Sequence, residues 1–181
     1  TVTDIAGHSA YDEMTFICDT AAPTVNAGAD IITNTTASIN ATATENGNAG
    51  ISTYSWTRQS GPGTITFGTP AAEDTTAAAS AQGVYVLRLT VTDAAGNSAY
   101  DDMQLTYDTT PPSVEAGTNK SVNAAAAQDA TISDTYGVAS YAWTRDSGPG
   151  TLTFSNQTGA TTNADTNISA STDGTYVARL T

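Results

Sequence analysis

The sequence predicts an all-β protein built from tandem Greek-key β-sandwiches, and three observations support this prediction. Apolar and polar residues alternate in short runs, and no run has the 3.6-residue spacing of an amphipathic helix. Blocks of sequence recur about 90 residues apart, which indicates repeated units. Gly, Pro, Asn and Asp cluster between the apolar runs, where hairpin turns need their backbone angles.

The repeat is visible in three blocks that recur in the same order. Residues 1–30 match residues 90–119, an offset of 89. YSWTRQSGPGTITF at 54–67 matches YAWTRDSGPGTLTF at 141–154, an offset of 87, and GVYVLRLT at 83–90 matches GTYVARLT at 174–181, an offset of 91. A unit of this length can bury its own core, so each repeat is expected to be a β-sandwich rather than a solenoid turn.

Within the first unit, Val25 opens the sandwich and residues 37–43 and 52–58 form the next two strands. A Ser-Gly-Pro-Gly turn follows at residues 60–63, and hairpin residues 94–97 separate the last two strands. Trp143 and Tyr176 are expected to repeat in the second unit the core roles of Trp56 and Tyr85. Ile65 and Phe67 are expected to make a short strand after the turn. Alternation places the following side chains inward: Ile39, Tyr54, Trp56, Tyr85, Leu87, Leu89, Val91, Met103, Leu105 and Tyr107.

These motifs carry a family resemblance over nearly the whole chain. NAGAD, YSWTRQSGPGTITF and GVYVLRLTVTDAAGNSA resemble a PKD-type domain, and DTTPPSV and VTDAAGN resemble the bacterial Ig-like repeats of giant adhesins. The resemblance implies tandem immunoglobulin-like Greek-key sandwiches that serve outside the cell as a spacer, stalk or adhesion module. It implies no catalytic activity, because one fold hosts many functions.

The charge composition limits the kinds of binding partner that are expected for this chain. The 181 residues contain 5 Lys and Arg against 18 Asp and Glu, a net charge of −13. Nucleic acid and anionic membranes are therefore not expected partners. No 18-residue apolar run spans a membrane, and no basic and apolar secretion signal opens the chain, so any export signal is expected outside this segment.

The ends of the sequence suggest how units join. Residues 1–19 are expected to be the final strand of a preceding or neighbouring repeat, residues 20–108 a complete domain, and residues 109–181 a domain without its final strand. Two interpretations stay open. Either this is a window of a longer repeat protein, or residues 1–19 of one copy complete residues 111–181 of the next and polymerise copies head to tail.

The junctions between units gather carboxylates on several loops, and hard oxygen ligands of this kind suit Ca²⁺. Calcium is the only cofactor that these residues indicate. The alternative is that Asp93 and Asp4 make Asx-turns and the other carboxylates are solvated. The candidate ligands are Asp19, Glu45 and Asp93 in the first unit, and Asp108, Asp134 and Asp4 at the second.

Other candidate positions have a structural explanation beside a functional one. His8 near Ser9 could suggest a triad, but its equivalent is Asn97, so a hairpin-loop role is expected. Cys18 is expected to be buried like Tyr107, with an intermolecular disulfide as the alternative. The tryptophans are expected in the core rather than on a sugar-binding surface. Asn-x-Ser/Thr sequons, which are candidate glycosylation sites, start at Asn34, Asn40, Asn119, Asn156 and Asn167.

Together these features predict a non-enzymatic structural repeat of an extracellular microbial surface filament, stalk or adhesin. Its expected partners are neighbouring repeats or copies of itself. A carbohydrate- or protein-binding adhesion module is an alternative, as is a spacer in a large secreted enzyme. A binding module would place distinct aromatic residues in its loops, whereas these loops consist of Gly, Asn, Ala, Asp and Thr.

Overall fold

The computed structural model describes residues 1–159 and 163–181. These residues form β-strands and no helix, which confirms the predicted all-β fold class. No helix in the described part of the chain is therefore long and apolar enough to cross a bilayer. The chain divides into two compact units, unit 1 (Thr1–Thr109) and unit 2 (Thr110–Thr181).

Unit 1 contains eleven strands, and the longest of them form one sheet. The strands are β1 (Val2–Thr3), β2 (Ser9–Ala10), β3 (Thr24–Asn26), β4 (Ile31–Thr33), β5 (Ala37–Ile39), β6 (Thr42–Thr44), β7 (Ile51–Ser60), β8 (Ile65–Phe67), β9 (Thr75–Ala79), β10 (Gly83–Asp93) and β11 (Ser98–Tyr107).

Two sheets of unit 1 supply most of its core. One has the order β4-β11-β10-β7 and the other β5-β9-β8, while β3 pairs with β6 and β1 with β2. Strand β11 pairs antiparallel with β10 and parallel with β4. It therefore lies inside its sheet, with a neighbour on each edge.

The unit 1 core follows the predicted alternation. Tyr85, Leu87, Leu89 and Val91 on β10 are all fully buried. Leu105 lies opposite Tyr85 across the ladder, and Met103 lies opposite Leu87. Ile39 and Ala77 of the smaller sheet complete the same cluster, and Trp56 is buried within it.

Each Ser-Gly-Pro-Gly turn packs against the ring of a tyrosine. The Tyr85 hydroxyl donates to the carbonyl of Ala81 at 2.5 Å, which forms a tyrosine corner. A Cβ on Gly61 would lie 2.2 Å from the Tyr85 ring, and φ of +134° also favours glycine there. Gly148 and Tyr176 repeat this geometry in unit 2, since the Tyr176 hydroxyl donates to Thr172 at 2.9 Å.

Unit 2 repeats several of these pairings among its described residues. Strand pairs β12–β14, β13–β18 and β16–β18 form, and β15 pairs with β17 and β19. Trp143 is buried and stacks on Phe154 with ring centroids 5.7 Å apart, as Trp56 faces Phe67 at 6.1 Å. The strands are β12 (Ser113–Glu115), β13 (Ala126–Gln128), β14 (Thr131–Ser133), β15 (Tyr141–Ser147), β16 (Leu152–Phe154), β17 (Thr158–Gly159), β18 (Thr166–Ala170) and β19 (Val177–Leu180).

Four features differ from the sequence prediction. The expected strand at 37–43 divides into β5 and β6, which belong to different sheets, and β4 and β9 were not predicted. Tyr176 was expected in the core but is only partly buried, because no strand of the described residues covers it. Residues 11–19 form no strand, since no strand of the described residues supplies hydrogen-bond partners for them.

Candidate functional site

Three of the predicted carboxylates lie together in unit 1. Asp19, Glu45 and Asp93 each present an oxygen atom, and these atoms lie within 4.8 Å of one another. They come from the segment before β3, the loop after β6 and the end of strand β10. We call these three residues the carboxylate cluster.

Asp93 is the most enclosed member, with 2 % of its surface exposed. Its Oδ1 accepts hydrogen bonds from the amides of Ala95 at 2.9 Å and Asn97 at 2.8 Å, and its Oδ2 accepts one from the Asn97 side chain at 2.8 Å. Burial acts to raise the pKa of Asp93, but the bonds from Asn97 and Ala95 outweigh it and hold the pKa below its ordinary value. Asp93 therefore remains a carboxylate.

Asp19 is held by the loop that carries Glu45. Its Oδ1 accepts from the amide of Ala21 at 3.0 Å, and its Oδ2 accepts from the amides of Asn48 at 2.7 Å and Ala49 at 2.8 Å. These three bonds, with Ala21 contributing most, lower the pKa of Asp19. A Cβ on Gly47 would lie 2.1 Å from both carboxylate oxygens, so the glycine makes room for the aspartate.

Glu45 has one oxygen without a protein partner. Its Oε1 accepts from the amide of Gly47 at 2.8 Å. Its Oε2 is buried and has no hydrogen bond. A buried carboxylate oxygen without a donor is costly, so this atom is available as a ligand for a hard cation.

The remaining three predicted carboxylates lie outside this cluster. Asp4 accepts from the amide of His8 at 2.8 Å and lies 2.9 Å from the His8 ring, and its pKa is lowered chiefly by that side chain. Asp134 accepts from the amide of Tyr136 at 2.8 Å, as in an Asx-turn. The amide of Asp108 donates to the carbonyl of Thr33 at 3.0 Å. The bonds of Asp4 to the His8 amide and of Asp93 to the Ala95 and Asn97 amides are turn bonds of the kind that the alternative explanation gave for these two residues.

The family of unit 1 follows from its sequence. The sequence model of the K319L-like PKD domain family matches residues 27–107. Residues 27–107 form a PKD-type immunoglobulin-like domain. Glu45 and Asp93 lie inside this PKD domain, and Asp19 precedes it in the chain. Two residues of the carboxylate cluster therefore belong to the domain and the third to the segment that enters it.

Other comparisons are weaker. Among solved structures, the chain is similar to the solution structure of the PKD domain from KIAA 1837 protein, at 18% identity and a TM-score of 0.38. The match covers 48% of this chain and 89% of that chain. No curated protein matches the sequence.

His8 lies at a hairpin turn outside the PKD domain. The Asn97 side chain makes the same bond to Asp93 that the His8 ring makes to Asp4. The Ser9 hydroxyl pairs with Thr3 at 2.7 Å, not with His8. The geometry is therefore that of a capped turn rather than of a nucleophile and base.

Cys18 corrects one sequence prediction. It was expected on the inward face of a strand, but it is an exposed free thiol. The reason is that residues 11–19 pair with no strand in the part of the chain that the structure describes. Its apolar neighbours Met14 and Phe16 are exposed for the same reason, by 82% and 79%.

The aromatic and sequon predictions have separate outcomes. Trp56 and Trp143 are core residues, so the sugar-binding surface considered for them is wrong. Their indole nitrogens donate to the carbonyls of Glu73 at 3.1 Å and Ala164 at 2.8 Å.

Glycosylation stays a prediction. All five sequon asparagines are exposed, namely Asn34, Asn40, Asn119, Asn156 and Asn167.

Sequence reasoning missed the residues that support the cluster. Asn97 holds Asp93, and its side chain also donates to the carbonyl of Asp19 at 3.2 Å. Gly47 has no Cβ and therefore leaves room for the Asp19 carboxylate. The signal for Asn97 was present, because DAAGN at 93–97 and DIAGH at 4–8 each place a hydrogen-bonding side chain four residues after an aspartate.

Proposed function

We propose that this chain is a structural repeat segment of an extracellular microbial surface filament, stalk or adhesin, and that it is not an enzyme. The observation that carries the proposal is the recurrence of one structural motif in both units. Each unit buries a tryptophan beside a phenylalanine and seats a tyrosine corner on a Ser-Gly-Pro-Gly turn. The recurrent residues are framework residues, which is typical of spacer repeats.

The surface supports the same role. The net charge of −13 keeps repeats soluble and disfavours nucleic acid and anionic lipid as partners. Both tryptophans lie in cores, so neither is available to a carbohydrate-binding surface.

Immunogold electron microscopy of intact cells tests this role. Antibodies against unit 1 should label extended structures outside the cell. Label confined to the cell interior would contradict the proposal. Label on a secreted enzyme particle would instead favour the spacer alternative.

The carboxylate cluster favours a second property, namely calcium binding. Asp19, Glu45 and Asp93 supply hard oxygen ligands, and Ca²⁺ accepts six to eight such oxygens, with water completing the shell. The buried, unpartnered Oε2 of Glu45 would gain a ligand bond. A bound ion would tie the entering segment at Asp19 to two loops of the PKD domain and stiffen the joint.

Melting temperatures with and without calcium test this property. We expect chelation to lower the melting temperature of the full chain, and excess Ca²⁺ to restore it, because a ligand that binds only the folded state stabilises it. Glu45→Gln should abolish the response. Glu115→Gln is the matched control, since Glu115 makes the same bond to Gly117 at 3.1 Å outside the cluster. An unchanged wild-type melting temperature would count against calcium.

A further inference from the structure

The loop between β6 and β7 contains the dipeptide Asn46–Gly47. It occurs once in the sequence, since every other asparagine is followed by a residue with a side chain. A glycine that follows an asparagine leaves the asparagine amide open to attack by the next backbone nitrogen, because no side chain hinders the approach. This attack is the first step of asparagine deamidation. Asn46 is exposed, so water reaches the site.

The reaction needs only water as a co-reactant. The Gly47 nitrogen gives up its proton and attacks Cγ of Asn46, so the N–Cγ bond forms and the Cγ–Nδ2 bond breaks. The released proton and the Nδ2 group leave together as ammonia. Water then opens the resulting succinimide ring at either carbonyl and yields aspartate or isoaspartate. The rate therefore depends on how freely the two reacting groups can meet.

In the folded chain, hydrogen bonds restrain both reacting groups. The Gly47 amide donates to Oε1 of Glu45 at 2.8 Å, and a donor that faces a carboxylate gives up its proton less readily. The leaving nitrogen, Nδ2 of Asn46, donates to the carbonyl of Ala22 at 2.8 Å and to Oγ1 of Thr24 at 2.9 Å. The succinimide ring can close only after these bonds open.

The surroundings explain why this reactive pair is present. A Cβ at position 47 would overlap the Asp19 carboxylate, so the position requires glycine. The Asn46 side chain joins the loop to residues 19–24, which we call the entering segment. Aspartate cannot make the same contact, because its oxygen would face the Ala22 carbonyl, which only accepts hydrogen bonds. The asparagine that is most open to attack therefore also holds the entering segment.

We propose that Asn46 is a deamidation site and that docking of the entering segment controls the modification. While the segment is docked, Asn46 stays intact. When the loop opens locally, Asn46 converts to aspartate or isoaspartate. The new carboxylate faces the Ala22 carbonyl and adds negative charge next to Glu45, so it opposes renewed docking. The modification makes a transient opening permanent, and it requires neither the surface role nor a bound calcium ion.

Peptide mapping by mass spectrometry follows the conversion in the full chain at mildly alkaline pH. Asn46 should convert at least about tenfold more slowly in the folded chain than in urea, because only the locally open form reacts. Glu45→Ala should speed the conversion about tenfold, since the bond to a charged acceptor is lost, and Thr24→Val should speed it about threefold. Glu115→Ala is the matched control, because Glu115 makes the same bond to Gly117 outside this loop.

Hydrogen exchange tests the consequence of the modification. Asn46→Asp carries the side chain of the aspartate product, and it should raise the exchange rate of the Ala21 amide at least about fivefold, because the entering segment opens more often. That amide donates to Oδ1 of Asp19 within the segment. Asn48→Asp is the matched control for charge. Asn48 bonds Asp19 through its backbone amide, which the substitution retains.

Three results would overturn the proposal. One is conversion of Asn46 in the folded chain at the rate seen in urea. Another is a conversion rate in both Glu45→Ala and Thr24→Val that equals the rate in Glu115→Ala. The last is equal Ala21 exchange in Asn46→Asp and Asn48→Asp, which would mean that the product leaves the entering segment docked. The structural role would survive all three, because surface labelling of intact cells tests it independently.

Discussion

Shortening Leu87 should destabilise unit 1 by an amount that its environment sets. The side chain is fully buried, lies opposite Met103 across the ladder and belongs to the main core cluster. Leu87→Ala removes three carbon atoms and leaves a cavity, which costs about 3 kcal/mol in a well-packed core. For a domain of this size the melting temperature should fall by roughly 10–20 °C.

Urea unfolding followed by tryptophan fluorescence measures this cost for unit 1 alone when Trp56 is the only tryptophan. The experiment therefore uses a Trp143→Phe background. Val84→Ala is the control, because Val84 lies on the same strand but is 43% exposed, and it should cost less than about 1 kcal/mol. A Leu87→Ala cost no larger than that of Val84→Ala would refute the alternation that places Leu87 in the core.

Two further predictions concern the carboxylate cluster. The lowered pKa values of Asp19 and Asp93 mean that their stabilisation is present above the ordinary value of 3.8 and is lost as the pH falls through the folded-state values. Thermal melts from pH 7 to pH 2 should show this loss, and Asp93→Asn should melt lower at neutral pH and lose less on acidification. Gly47→Ala should displace Asp19 and lower the melting temperature, because the new Cβ would lie 2.1 Å from its carboxylate oxygens. Full stability of Gly47→Ala would show that Asp19 is not held over this loop.

The long strands of unit 1 were predictable because their alternation is regular. Strand β10 alternates buried and partly exposed residues from Tyr85 to Asp93, and a period of two residues indicates a β-strand with one buried face. Strand β9 was missed because its sequence is TTAAA, which has little apolar contrast. The three-residue strand β4 forms through parallel pairing with β11, a tertiary contact that no local pattern encodes.

The cluster was predictable in outline because the fold brings loops from one end of a sandwich together. Loop order alone placed Asp19, Glu45 and Asp93 near one another. The partners that fix each oxygen could not be predicted. The buried Oε2 of Glu45 depends on side-chain rotamers, and the role of Gly47 depends on a close approach between distant segments.

Immunogold electron microscopy of intact cells tests the proposed structural role most directly. Antibodies against unit 1 are expected to label extended structures outside the cell. Label confined to the cell interior would contradict the account.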